Sequence, residues 1–281
     1  MIIARKIEQL KTLLAKARLS GHKVGLVPTM GYLHEGHLSL VETIVPHVDL
    51  VVMSIFVNPT QFSPSEDYES YPRDLEKDIK RAESAGVEII FSPSVREMYP
   101  KGYQSFIHVD KVTEGLCGAS RPHHFRGVTT VVGKLFNIVQ PDFAVFGEKD
   151  YQQLVVIKQM VKDLNFPVRI LGSPIIREDD GLAKSSRNVY LSPEQRRDAP
   201  LLYCTLQSVK DAFEGGERTG KTLVEMTRQA LDIPEVQIDY IELVHAESLQ
   251  PLQGKIHSQP VLLALAVYMG STRLIDNIRL Q

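Results

Sequence analysis

Tryptophan is absent from this 281-residue chain, and only two cysteines occur, Cys117 and Cys204, far apart and without metal-knuckle spacing. A disulfide scaffold is thereby excluded, and such sparse thiols suit a reducing compartment, so the expected setting is cytoplasmic. An excess of charge of either sign is also lacking: 32 Lys and Arg stand against 34 Asp and Glu, a formal net charge of -2. That balance offers no general attraction for nucleic acid or an anionic membrane, so neither is expected as a partner and any phosphate binding must be local. Long hydrophobic runs are missing as well. The stretch "VLLALAVYM" near the end is about half of the roughly 20 residues a membrane helix needs. At the N-terminus, Arg5, Lys6, Glu8, Lys11 and Lys16 interrupt any signal-peptide core. Ile7, Leu10, Leu14 and Ala17 instead mark an amphipathic helix.

What is present is an alternation. Short β-branched runs, "KVGLV", "LVVMSIFV", "VEIIF", "FAVF" and "VRIL", are separated by helical patterns that begin near Gly36, span Asp74 to Ala85, and include "VTTVVGKLFNIV" and "YQQLVVIKQMVKDL". Strands without alternation, separated by helices, indicate a parallel sheet covered on both faces. The spacing predicts a Rossmann-like, doubly wound α/β domain over residues 1–175. Beyond "GSPIIREDDG" come a helix from Pro193 to Phe213, another from Gly220 to Leu231, and three consecutive strand patterns, "VQIDYIELV", "VLLALAVYM" and "TRLIDNIRL". Helices followed by consecutive strands predict a smaller α+β domain over residues 176–281.

In open α/β sheets, ligands bind beyond the carboxyl ends of the strands. Four polar clusters follow strands here: "PTMGYLHEGH", "NPTQF", "GEKD" and "PIIREDDGLAKSSRN". In the first, Gly31 and Gly36 let backbone approach a ligand, and the N–H groups of a helix start attract phosphate. His34 and His37, three apart, can donate to phosphoryl oxygens, bind zinc, or simply cap the helix. There is no "HExxH", and the other histidine pair, His123 and His124, is adjacent rather than helically spaced, so zinc lacks a third ligand. Lys149 in "GEKD" is a point charge suited to phosphate, or else part of a solvated charge run. Gln153, one helical turn further on, and Gln61 in "NPTQF" are uncharged hydrogen-bonding groups that suit a polar organic substrate, or else turn and helix surface. Lys184, Ser185, Ser186 and Arg187 combine cations and hydroxyls in a loop, read as mobile, that can wrap a triphosphate, or else form a flexible solvated loop, which composition alone favours.

Together the segments "PTMGYLHEGHLSL", "FVNPTQF", "HFRGVTTVV", "LFNIVQPDFAVFGEKDYQQL" and "REDDGLAKSSRN" resemble the pantothenate synthetases, the pantoate–β-alanine ligase family, in family order. The first cluster is also similar to the HxGH signature of the wider adenylyl-transferring superfamily. The resemblance implies a two-step ligase that uses ATP and Mg²⁺ to form pantoyl adenylate and pyrophosphate, then couples β-alanine with release of AMP. It implies that His34 and His37 hold the phosphates in the transition state, with His37 a proton donor, and that Lys149, Ser186 and Arg187 bind phosphate. The ATP site it implies extends over Met30, Gly31, Tyr32, Leu33, Glu35 and Gly36, then Gly147, Glu148 and Asp150, and finally Ile176, Lys184 and Ser185. Gln61 and Gln153 would grip pantoate, with Gln61 also meeting β-alanine. Magnesium would be bound mainly through ATP phosphates, with Asp150 nearby. One position departs from the pattern: the family commonly has methionine where this chain has Lys184. A homodimer is implied too. The rival reading is a nucleotidylyltransferase of the same superfamily acting on a phosphorylated acceptor, which would want cations in place of the two glutamines. An aminoacyl-tRNA synthetase is disfavoured by the charge balance and by the lack of an evident anticodon-binding domain.

Overall fold

A computed structural model describes residues 1–64 and 66–281. In chain order its elements are β1 (Ile2–Ala4), α1 (Ile7–Leu19), β2 (Val24–Thr29), α2 (Glu35–Ile44), β3 (Leu50–Ile55), α3 (Leu75–Ser84), β4 (Ile89–Phe91), α4 (Val95–Met98), α5 (Cys117–Ser120), α6 (His124–Val139), β5 (Phe143–Gly147), α7 (Tyr151–Asp163) and β6 (Arg169–Ser173). There follow α8 (Pro193–Asp198), α9 (Leu201–Glu214), α10 (Gly220–Ala230), β7 (Gln237–His245), β8 (Val261–Met269) and β9 (Thr272–Leu280).

The first compact unit comprises residues 1–109, 121–148 and 156–174. Its parallel sheet has the order β1-β4-β3-β2-β5-β6. From β2 the chain moves outward through β3 and β4, then returns to build β5 and β6 on the other side. The switch point therefore falls between β2 and β5, where a doubly wound sheet opens its ligand crevice. β2 and β3 are buried along almost their whole length, which is why "VGLV" and "LVVMSI" show no polar alternation. On one face, Leu40, Val41 and Ile44 of α2 and Ala82 of α3 pack with Val27, Met53, Ile90 and Val145 of the sheet. The amphipathic helix expected from Ile7, Leu10, Leu14 and Ala17 is α1, and a short strand that the sequence reading did not include precedes it. Ile2–Ala4 pair with Ile89–Phe91 as an edge strand before α1 begins, a strand too short to show a period.

The second unit comprises residues 110–120, 149–155 and 175–281. Its antiparallel sheet has the order β7-β8-β9, and β8 is buried at nearly every residue. The apolar run "VLLALAVYM" is thus the central strand of a small sheet, with Leu263, Leu265 and Val267 packing against Leu202, Leu206, Val209 and Leu223 of α9 and α10. Among the described residues, no helix is long and apolar enough to cross a membrane. The helix expected from Pro193 to Phe213 is two helices. Pro200 lacks the N–H that a continuous helix would use and its ring crowds the preceding turn, so α8 ends at Asp198 and α9 starts at Leu201.

The units are discontinuous in sequence, whereas the expected division was a single cut after residue 175. Two excursions join the second unit through side-chain hydrogen bonds. Gln152 donates to the carbonyls of Val112 and Gly115 (3.0 and 2.8 Å), Ser120 donates to Asp239 (2.8 Å), and Asn277 on β9 donates to the carbonyl of Lys149 (2.9 Å).

Candidate active site

Thr29 closes β2, and the chain then turns through two residues of left-handed conformation, Gly31 (φ 87°) and Tyr32 (φ 52°), into α2. The turn is held from several sides. The Gly31 N–H donates to Thr29 Oγ1 (3.2 Å), which itself donates to the Ser54 carbonyl at the end of β3 (2.7 Å). Asp78 on α3 accepts the N–H groups of Tyr32 and Leu33 (2.8 and 2.7 Å). Burial pushes the Asp78 carboxyl up from its usual range, and those two N–H groups pull it part of the way back.

His34 is the N-cap of α2. Its Nδ1 accepts the N–H of Gly36 (3.2 Å), and His37 Nδ1 accepts the N–H of His34 (3.2 Å), a reciprocal capping box built from two imidazoles. The rings lie 4.1 Å apart between centroids. A ring nitrogen that accepts from an amide carries no proton, so in each neutral ring the proton sits on Nε2. Capping and ligand donation are therefore compatible duties of different nitrogens. Among the described residues no group of three or more His, Cys, Asp or Glu side chains could hold a metal ion.

One strand over, Asn58 follows β3 and caps the turn Pro59–Gln61. Its carbonyl oxygen accepts from Thr60 Oγ1 (3.0 Å) and from Tyr99 Oη (2.8 Å). Burial pushes the Tyr99 phenol up to about 12, so it remains a donor at neutral pH. The Asn58 amide nitrogen donates to Gln61 Oε1 (3.1 Å) and to the Gly127 carbonyl (3.1 Å). With Oε1 occupied, the Gln61 amide presents Nε2, which reaches Met30 Sδ at 3.3 Å. His124 Nδ1 lies 2.9 Å from the Gln61 carbonyl, and a Cβ on Gly127 of α6 would meet the Thr60 carbonyl at 2.3 Å. The first unit thus brings Met30 and Gln61 together and holds His34 against His37. At the end of β5, on the other side of the switch point, Gly147 and Glu148 are half-buried.

The remaining expected residues belong to the second unit. Lys149 sits in the short turn Glu148–Asp150, half-buried, while Asp150 is exposed. Gln153 is half-buried on the first turn of α7, and its neighbour Gln152 is the one that reaches the 110–120 segment. The 176–187 segment is a folded hairpin: Arg177 bridges Ala183, Lys184 N–H donates to the Ile176 carbonyl (2.9 Å), and Gly181 takes φ 94° at the turn. Ser185 caps the turn Ser186–Tyr190 by accepting the Arg187 N–H (3.2 Å), and Ser186 is buried. Arg177 anchors the hairpin with a bidentate pair to buried Asp276 on β9 (2.6 and 2.9 Å).

Asn58, Asp78, Tyr99, His124 and Arg177 were missed as supporting residues. Asn58 had a local signal, an Asn–Pro step immediately after a strand. The others act across long stretches of sequence and left none.

The sheet is doubly wound, and an HxGH turn rises from its switch-point strand into the capped start of α2. The profile of the family described as pantoate-beta-alanine ligase matches residues 2–279, and the chain belongs to that family. It is 55% identical to the pantothenate synthetase of Moorella thermoacetica over 282 residues, covering 100% of this chain and 99% of the relative. It is 53% identical to that of Acetivibrio thermocellus, over 99% of both. Among solved structures, pantothenate synthetase from Thermus thermophilus superposes with a TM-score of 0.92 at 46% identity, covering 99% of each chain. The Francisella tularensis pantoate-beta-alanine ligase, solved as a complex with beta-gamma ATP and beta-alanine, gives 0.81 at 36% identity, covering 99% of this chain and 97% of that one.

Proposed function

We propose that the protein joins pantoate to β-alanine at the expense of ATP, in two chemical steps. The observation that carries this is a family match along almost the whole chain, with the capped histidine pair standing at the carboxyl end of the switch-point strand. A carboxylate acylates poorly until one oxygen becomes part of a good leaving group. In the first step a pantoate carboxylate oxygen attacks the α-phosphorus of ATP, the bond to the bridging oxygen breaks, and pyrophosphate departs. In the second the β-alanine amine attacks the acyl carbon, AMP departs, and the nitrogen loses a proton. Neither step needs a protein nucleophile; both need orientation and stabilisation of charge on phosphate.

The first unit supplies the Nε2–H groups of His34 and His37 as phosphate donors, with the backbone of Met30 to Gly36 and of Gly147 and Glu148 along the nucleotide. Gln61, its Oε1 taken by Asn58, offers Nε2 to pantoate, and β-alanine lies beside the same residue. Met30 sulfur is a weak acceptor, so a pantoate oxygen replaces it readily. The family resemblance assigns Lys149, Ser186 and Arg187 to phosphate, Ile176, Lys184 and Ser185 to the nucleotide, and Gln153 to pantoate. Magnesium would be held mainly by the ATP phosphates, as suits a hard cation that keeps much of its water, with Asp150 the carboxylate that would assist, and it would neutralise phosphate charge there. Catalysis by a homodimer in the cytoplasm completes the proposal, and twice 31.6 kDa is the mass expected in light scattering.

The test is an AMP-release assay in which ATP, pantoate and β-alanine are omitted one at a time, alongside ATP–pyrophosphate exchange. AMP should form only with all three, and exchange should require pantoate but not β-alanine. Exchange that ignored pantoate would refute the reading.

A further inference from the structure

The turn that carries the histidines has little local reason to keep its shape. Gly31 and Tyr32 both lie in the left-handed region, and Tyr32 bears a side chain there. Two successive N–H groups, those of Tyr32 and Leu33, consequently point the same way, the arrangement that binds an anion in a backbone nest. The anion is supplied by the protein. Asp78 is 2% exposed and receives both N–H groups, one on each carboxylate oxygen. The fit is close, because a Cβ at position 31 would come within 2.9 Å of Asp78 Oδ2 and 3.0 Å of Ile55 Cγ2. One turn along the same helix, Arg81 Nη1 donates to the Leu33 carbonyl at 2.5 Å and lies 4.0 Å from the Glu35 carboxylate. Two side chains of α3 therefore grip the N–H and C=O groups of one short segment. Immediately after that segment, His34 begins the cap that sets both imidazoles.

We propose that Asp78, with Arg81, is a positioning residue for phosphate transfer: it holds the Gly31–Leu33 turn so that His34 and His37 meet the phosphates in their reactive geometry. The inference rests on the reading that these histidines handle ATP. Asp78 acts through the backbone. The loss expected on weakening it therefore falls on turnover and spares ground-state ATP affinity, since a small misplacement of catalytic groups costs rate.

The test compares wild type, Asp78→Asn, Arg81→Met, His37→Ala and the Asp78→Asn/His37→Ala double variant in pantoate-dependent ATP–pyrophosphate exchange. Thermal midpoints and amide hydrogen exchange are measured on the same proteins. Asp78→Asn keeps the volume but turns an NH2 toward one of the two N–H groups. It should lower kcat for exchange by roughly tenfold to a hundredfold with the ATP KM changed less than about threefold, and should speed exchange at the Tyr32 and Leu33 amides. Arg81→Met should do the same more weakly, and it decides the matter if Asp78→Asn does not fold. The double variant should be no slower than His37→Ala alone, because the two residues act as one unit. Additive losses, or an unchanged kcat in a folded Asp78→Asn protein, would overturn the positioning role. Full activity in His37→Ala would instead sink the underlying reading of the histidines, whatever Asp78 did.

Discussion

His34 shows how much one residue can be asked to do. Its backbone is extended (φ -137°, ψ 177°), its Nδ1 closes the helix start, and its Nε2 carries the proton that a phosphate oxygen can accept. The sequence left three readings for it open, phosphate, metal and cap; the structure shows the cap. Because capping and catalysis share the pair, His37→Ala should cut turnover by at least about a hundredfold and also weaken the helix start by about 1 kcal/mol. Stopped AMP assays beside a melting curve separate the two effects, and near-wild-type turnover would remove His37 from the mechanism. Lys149→Ala should lose a similar factor without the stability cost of a lost cap. A different residue pair contributes to acid stability. Arg121 makes two bonds to Glu66 (2.7 and 2.6 Å). Burial raises the Glu66 carboxyl, but the Arg121 hydrogen bond and charge outweigh it, and the carboxyl ends below its usual range. A carboxyl lowered by folding contributes stability above its unfolded pKa and loses it as pH falls through the folded one. Arg121→Gln should accordingly move the acid unfolding midpoint to higher pH, read by far-UV circular dichroism; coincident acid limbs would show that the pair contributes nothing.

At the scale of elements, most of what was expected is there. The strand runs and helical patterns of the α/β region, and the three strands near the C-terminus, occur where the periodicity placed them. The departures have simple causes. β1 is too short for a period, and Pro200 divides a helix that otherwise reads as continuous. Elements also bear on the site through their closeness. Gly127 lets α6 lie against the Asn58–Gln61 turn, where the backbone of Gln61 would be 2.6 Å from an added Cβ. Gly127→Ala should therefore shift that turn, raising the pantoate KM several-fold and lowering stability by roughly 1–3 kcal/mol. An unchanged pantoate KM in steady-state assays would mean that Gln61 does not depend on the packing of α6. By contrast Gln153→Ala should weaken pantoate without disturbing any helix, and only the pantoate KM should move.

At the scale of the whole molecule there are two compact units, each with a hydrophobic core of its own. Leu265 is fully buried in the second. Leu265→Ala should cost about 2–5 kcal/mol there. Hydrogen exchange should then accelerate in β7, β8 and β9 while amides of β2 and β3 keep their protection; uniform acceleration would show that the cores unfold together. The sequence by itself determined the class of fold, the order of most elements, the HxGH turn and part of the candidate residues, the others following from the family resemblance, because helical period, strand burial and cap chemistry are written within a few residues of one another. Only the tertiary structure decided that Asp78 seats the histidine turn, that Asn58 and Tyr99 aim Gln61, and that residues 110–120 and 149–155 belong with the C-terminal sheet. Apart from the Asn58–Gln61 bond, which spans three positions, those contacts join groups about forty to more than a hundred positions apart through one or two hydrogen bonds each, and a lone Asp, Asn or Gln on a helix or loop carries no period that says which distant amide it will meet.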